Sequence, residues 1–301
     1  EWCNKYPKDP RGGYTLAQCY VKTKQQSKAL ERLNVVLGHH PDHAASQFLA
    51  GVLKLKSSPS KALPHFEAAV KAKPDNGNYQ YYYGSALMAK KQYNEAEVAL
   101  KKAVKANPKN GKAQFDLGRV LMLNKKPADA IAPLKIASKG KKGKDKALYY
   151  LGLAQYQTGD FSSAVTSLDQ ASKLQGSDAK IFYNLGMAHE GALGQAPDSI
   201  EACQPMIDAY SKAVELDSGN ADYNFRLGNS YEAGARAIYA KTAGNDAMSK
   251  KALGLLDKAQ KSYNAAVAAD ASNPAKDRIA GVAEMVENIK NPKVIEEEVT
   301  E

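Results

Sequence analysis

Apolar residues recur along this chain with a helical period, and the helical pattern itself recurs at a fixed interval. Between residues 77 and 110, Tyr83, Gly84 and Leu87 fall on one face of a first helix. Ala96, Leu100 and Ala103 fall on one face of a second, which Asn107-Pro108 stops. Gly84, Gly118, Gly152 and Gly186 stand 34 residues apart. The same interval separates Ala62, Ala96, Ala130 and Ala164, and again Ala69, Ala103, Ala137 and Ala171. A constant period of this length predicts a stacked array in which each helix pair buries its apolar face against its neighbours. No alternating β-branched run competes with it, so the expected class is all-α.

The period divides the chain. Residues 1–9 form a polar lead-in and 10–42 a degenerate first unit, whose first helix is weakened by Gly12-Gly13. Regular units are expected at 43–76, 77–110, 111–144 and 145–178. The units at 179–220 and 221–273 carry about eight and about nineteen extra residues between their helices. The second enlargement reads as an elongated hairpin turning at Ala243-Gly244-Asn245. Residues 274–290 read as a single capping helix, and 291–301 as an acidic tail expected to be disordered.

These positions resemble the pattern of the tetratricopeptide repeat family: a large residue at repeat position 4, Leu at 7, Gly or Ala at 8, Ala at 20 and 27, and a closing Pro such as Pro74 or Pro108. The resemblance covers residues 10–290. It implies a right-handed α-solenoid superhelix of stacked antiparallel helix pairs. About six repeats, a degenerate first repeat and a C-terminal capping helix make up the array, and the first helices line a concave groove.

On each first helix, positions 4, 7, 8 and 11 form the packing stripe, and positions 2, 5, 9 and 12 lie about 130° around from it. In the family this second stripe faces the groove. Here it carries an aromatic at position 5 in five consecutive repeats: Tyr81, Phe115, Tyr149, Tyr183 and Phe225. Lys112, Lys146 and Lys180 occupy position 2, and Met88, Met122 and Tyr156 occupy position 12. Position 9 holds Arg119, Leu153, Met187 and Asn229. Rigid aromatic area, adaptable thioethers and a row of ammonium groups suit a peptide or helix with apolar anchors and acidic residues. An aromatic at position 5 is also common in this family without a known ligand, so the purely structural reading stays open. Some relatives grip chaperone C-termini through a carboxylate clamp. Only Asn184 and Arg226 match its pattern, and Asp222 has the wrong sign, so that ligand is not expected.

Charge adds one asymmetry. The formal net charge is +10, but residues 1–144 hold 27 basic against 10 acidic residues, and the remainder 15 against 22. Two alternatives to groove binding follow. One is self-assembly, with the basic half of one molecule against the acidic half of another. The other is nucleic-acid binding through the basic half. Lysine supplies 36 of the 42 basic residues, and it lacks the planar fork that reads phosphate and base edges, which makes nucleic acid the weakest of the three.

Little chemistry is visible. There is no glycine-rich phosphate loop, zinc-protease motif, cysteine-pair spacing or nucleophile elbow, so no catalytic residue and no cofactor are expected. His39, His40 and His43 cluster at a turn, but no cysteine or paired carboxylate completes a metal site there. Cys3, Cys19 and Cys203 are too few for a disulfide framework, although a Cys3–Cys19 bridge stays open. No stretch approaches the ~18–20 apolar residues of a membrane span. A cytoplasmic chain is expected; a segment upstream of Glu1 could instead make it periplasmic or membrane-tethered.

Overall fold

A computed structural model describes residues 9–55, 58–194, 199–242 and 245–291. The lead-in with Cys3, the acidic tail beyond Asn291 and the hairpin tip at Ala243-Gly244 lie outside the described residues, as does 195–198 within the first enlargement. Among the described residues there are fifteen α-helices and no strand. In chain order they are α1 (Pro10–Lys22), α2 (Gln26–His39), α3 (Ala44–Leu55), α4 (Pro59–Ala72), α5 (Gly77–Ala89), α6 (Tyr93–Ala106), α7 (Gly111–Leu123) and α8 (Pro127–Ala137). Then come α9 (Lys144–Gln157), α10 (Phe161–Leu174), α11 (Ala179–Leu193), α12 (Ile200–Leu216), α13 (Ala221–Thr242), α14 (Asp246–Ala269) and α15 (Ala275–Lys290). The chain forms two compact units, 1–150 and 151–301.

In the first unit, α1 pairs with α2, α3 with α4, α5 with α6, and α7 with α8, and each pair packs on the next. In the second unit, α11 pairs with α12 and α13 with α14, and α15 covers α14. The long α13 and α14, of 22 and 24 residues, are the elongated hairpin.

The recurring glycine has a packing cause. A β-carbon on Gly84, Gly118 or Gly152 would stand 2.7, 2.4 or 2.5 Å from Cγ of Leu100, Leu134 or Leu168 on the paired helix. In the enlarged repeats Tyr210 takes that place over Gly186, and Tyr263 over Gly228. The leucines and both tyrosines are fully buried, so the absence of a side chain on one helix is filled by a large one from the other.

The turns are built by repeated local devices. Asn76, Asn110 and Asn245 cap the following helices, each accepting two backbone N–H groups through its side-chain oxygen. The Gln80 and Gln114 side-chain amides reach back six residues and donate to the carbonyls of Pro74 and Pro108, at 2.7 and 2.9 Å. Asn224 does the same to Ser218 at 2.8 Å. These clasps tie three of the inter-repeat turns to the helices that follow them. Within repeats, Lys24, Lys91, Lys125 and Gly159 occupy the same turn position with φ of +59°, +61°, +58° and +81°.

Two buried carboxylates tie neighbouring pairs together. Glu97 on α6 accepts from Lys101 at 2.7 Å, Asn124 at 2.7 Å and Lys126 at 2.9 Å. Burial alone would raise its carboxyl, but these hydrogen bonds outweigh it and hold the group down at about 2. Glu232 on α13, 2% exposed, accepts from Tyr263 on α14, from Arg236, and from Arg278 on α15. Those partners again overcome burial and keep Glu232 ionised, which fastens the last helix to the long hairpin.

Candidate functional site

The five position-5 aromatics share one degree of burial. Tyr81, Phe115, Tyr149, Tyr183 and Phe225 are all half-buried, while Lys112, Lys146 and Lys180 are exposed. Met88, Met122, Tyr156, Asn184, Met187 and Asn229 are half-buried on the same helices, whereas Leu153 of the position-9 column is also only half-buried. At position 6, Asp116, Tyr150 and Arg226 each reach the preceding repeat, a role that the helical pattern did not indicate.

In the first unit Asp116 is the organiser. Its carboxylate accepts from the Ser85 hydroxyl of the preceding repeat at 3.3 Å and lies 3.6 Å from the Arg119 guanidinium. Burial pushes the Asp116 carboxyl up, against the pull of Arg119, Ser85 and Tyr81. The Tyr81 phenol is pushed up to about 12, first by burial and next by the Asp116 carboxylate. Arg119 in turn lies over the Phe115 ring at 5.6 Å and the Tyr150 ring at 5.7 Å, while Tyr150 meets both Phe115 and Tyr149 edge-on. Arg119 thus rests against an edge-to-face ring pair of its own chain.

The second unit holds a cavity of about 650 Å³. Tyr156 and Phe161 form one wall, their rings edge-to-face at 5.4 Å, and Met206, Gly191 and Ala233 line the interior. Gly191 is needed there, because a β-carbon would meet the Phe161 ring at 2.5 Å. Arg226 and Asn229 lie at the polar side with Glu190. Arg226 donates to both Glu190 oxygens at 3.0 and 3.2 Å, and the Tyr210 hydroxyl donates to Glu190 at 2.7 Å. Burial would lower the Arg226 guanidinium, but Glu190 outweighs it and keeps it charged.

So Tyr156, Arg226 and Asn229 come together at one cavity, and Tyr81, Phe115 and Arg119 gather around Asp116. Asp116, Tyr150, Phe161 and Glu190 were not anticipated as part of the stripe. The signal for three of them was modest: positions 6 and 12 hold large or charged residues repeat after repeat.

Away from the stripe, no group of three metal-ligating side chains is present among the described residues. His43 bonds Ser46 at 2.8 Å and meets the Tyr14 ring edge-on, so it serves the turn. Cys203 is buried on α12 and Cys19 exposed on α1. No helix among the described residues is long and apolar enough to cross a membrane.

Three family models, each described as tetratricopeptide repeat, match this chain, over residues 87–139, over 56–100 and 149–214, and over 13–43. The chain belongs to the tetratricopeptide repeat family. Solved structures agree in fold. The tetratricopeptide repeat protein YrrB is 19% identical, with 62% of this chain and 92% of that one covered and a TM-score of 0.55. PilF of Pseudomonas aeruginosa is 18% identical over 71% and 94% of the two chains, with a TM-score of 0.53. The C-terminal part of a repeat-containing protein from Cytophaga hutchinsonii is 18% identical over 88% and 98%, with a TM-score of 0.57. At these identities the likeness shows the fold alone. Comparison with curated proteins found no match. YrrB is described as having an unusual peptide-binding site.

Proposed function

We propose that this tetratricopeptide repeat protein is a non-catalytic scaffold whose first helices bind an acidic segment with apolar anchors from a partner protein. The observation that carries the reading is the stripe itself. Half-buried aromatics stand at one position of five consecutive repeats, and exposed lysines stand three residues before three of them. Half-buried rings offer area that can still be covered, at a small cost in side-chain entropy. Exposed ammonium groups beside them raise the encounter rate with an acidic partner. That a relative of the same fold is described as having a peptide-binding site is compatible with this use.

The test is selection from a random peptide library displayed on phage. Enrichment of sequences combining Asp or Glu with large apolar residues is expected. Binding of the selected peptides should fall about tenfold in a Lys112→Glu/Lys146→Glu/Lys180→Glu variant and lose most of its salt dependence. Selected peptides that ignore the three reversals would overturn the assignment.

The charge asymmetry favours a second reading, in which the basic half of one copy meets the acidic half of another. Solution mass measured at low and high salt decides it, and a strict monomer at low ionic strength rejects it.

A further inference from the structure

Each unit sets one arginine of a first helix in a different environment. In the first, Arg119 rests against two rings of its own chain that meet each other edge-on, Phe115 at 5.6 Å and Tyr150 at 5.7 Å. Tyr150 stands at repeat position 6. In the second, position 6 is occupied by Arg226 itself, which pairs with Glu190 and has the Tyr183 and Tyr210 phenols as neighbours. Beside Arg226 lies the cavity of about 650 Å³, walled by Tyr156 and Phe161 and lined by Met206, Gly191 and Ala233.

We infer that this cavity is an anchor pocket for one uncharged aromatic side chain of the partner segment, whose ring lies against the Arg226 guanidinium and the Tyr156–Phe161 wall. The inference rests on the groove-binding reading above and names the residue class that the groove selects.

Three features point to an uncharged aromatic. The charge on Arg226 is already matched by Glu190, whose two oxygens take hydrogen bonds from Arg226 and Tyr210. An additional charge on the occupant would therefore be desolvated without a dedicated partner. The wall is an edge-to-face ring pair and the interior holds a thioether, and both contact the face or edge of a further ring favourably. The guanidinium presents a planar cationic surface, which gains from a π-face and gains little from an aliphatic chain. Asn229 supplies direction. Its side-chain amide contacts the Tyr263 hydroxyl at 2.8 Å through one polar end. In this proposal its amide nitrogen donates to a main-chain carbonyl flanking the anchor.

The minimal probes are N-acetyl-L-tryptophanamide and N-acetyl-L-leucinamide, titrated into the full chain. The methyl ¹³C signal of Met206 is the readout at the pocket, and it needs no variant. The tryptophan amide should bind at least fivefold more tightly and move the Met206 signal, and Ala233→Trp, which fills the pocket, should abolish both effects. Equal affinities, an unmoved Met206 signal or unaltered binding to Ala233→Trp would overturn the anchor pocket. The groove reading fails separately. Library-selected acidic peptides that bind Ala233→Trp as they bind the native chain would remove the anchor and leave the lysine-lined groove standing. Loss of selected peptides to Ala233→Trp, with helicity and melting temperature unchanged, supports the anchor.

Discussion

A β-carbon placed on Gly118 would lie 2.4 Å from Cγ of Leu134, which is fully buried on the paired helix. The two helices of this repeat therefore close only because one of them offers bare backbone. Gly118→Ala should lower stability by about 1–3 kcal/mol, the range for overpacking a filled interior, despite the better helix propensity of alanine. The coupling is the decisive measurement. In a Leu134→Ala background, where the obstructing Cγ is gone, the same glycine change should cost nothing or stabilise, as read from urea midpoints. A Gly118→Ala cost that persists undiminished in that background would contradict the close-approach account.

Glu97 should make stability depend on acid. Its folded-state carboxyl is held at about 2, below the ordinary 4.5. The group therefore contributes stability that is complete above the unfolded value and is lost as pH falls from about 4.5 through about 2. Glu97→Gln should cost about 1–2 kcal/mol at pH 7, where Lys101 and Lys126 lose their shared anion. The deficit should shrink steadily below pH 4.5. Melting curves of both proteins across that range test this, and a deficit independent of pH would place the effect in packing instead.

The turn lysines supply a pair of opposite predictions. Lys91 has φ of +61°, a left-handed conformation that costs a side-chain-bearing residue about 1 kcal/mol, whereas Gly159 takes the same turn position at +81°. Lys91→Gly should stabilise by ~0.5 kcal/mol and Gly159→Ala should destabilise by ~1 kcal/mol. Denaturant midpoints of the two variants should move in opposite directions; movement of both in the same direction would refute the strain.

Much of this architecture was legible because it is written in residues that do one thing. Gly84, Gly118 and Gly152 mark close helix approach, and each is followed sixteen residues later by the leucine that uses the space. Pro74 and Pro108 mark the inter-repeat turns; the caps made just after them by Asn76 and Asn110 came to light only in the structure. What escaped notice depends on contacts between repeats. Asp116 meets Ser85 from 31 residues away, and Arg226 meets Glu190 from 36 away across an enlarged repeat, so no periodic pattern within one helix reveals them. The left-handed turn was hidden for a different reason. Lysine occupies it at residues 24, 91 and 125, where glycine would have announced it.

Asp116 is the acid set among the residues proposed to receive an acidic ligand, and its environment fixes the sign of its effect. Its folded-state carboxyl lies above the ordinary 3.8, because burial outweighs the help from Arg119, Ser85 and Tyr81. Ionisation in the folded protein is then harder than in the unfolded chain. Below 3.8 the group is protonated in both states and costs nothing; as pH rises through the folded value the cost appears and stays. Asp116→Asn keeps a side-chain oxygen for Ser85 and removes the buried charge, while it surrenders the attraction to Arg119. Since that attraction is already outweighed, the variant should be ~0.5 kcal/mol more stable than the native chain at pH 7, an ordinary gain for one favourable change. The advantage should vanish below pH 3.8. Binding of acidic peptides should rise along with it, because one like charge leaves the stripe while Lys112 and Lys146 remain. A loss of stability above about 1 kcal/mol at pH 7 would mean that Asp116 is needed as an anion to hold Arg119 against Phe115 and Tyr150.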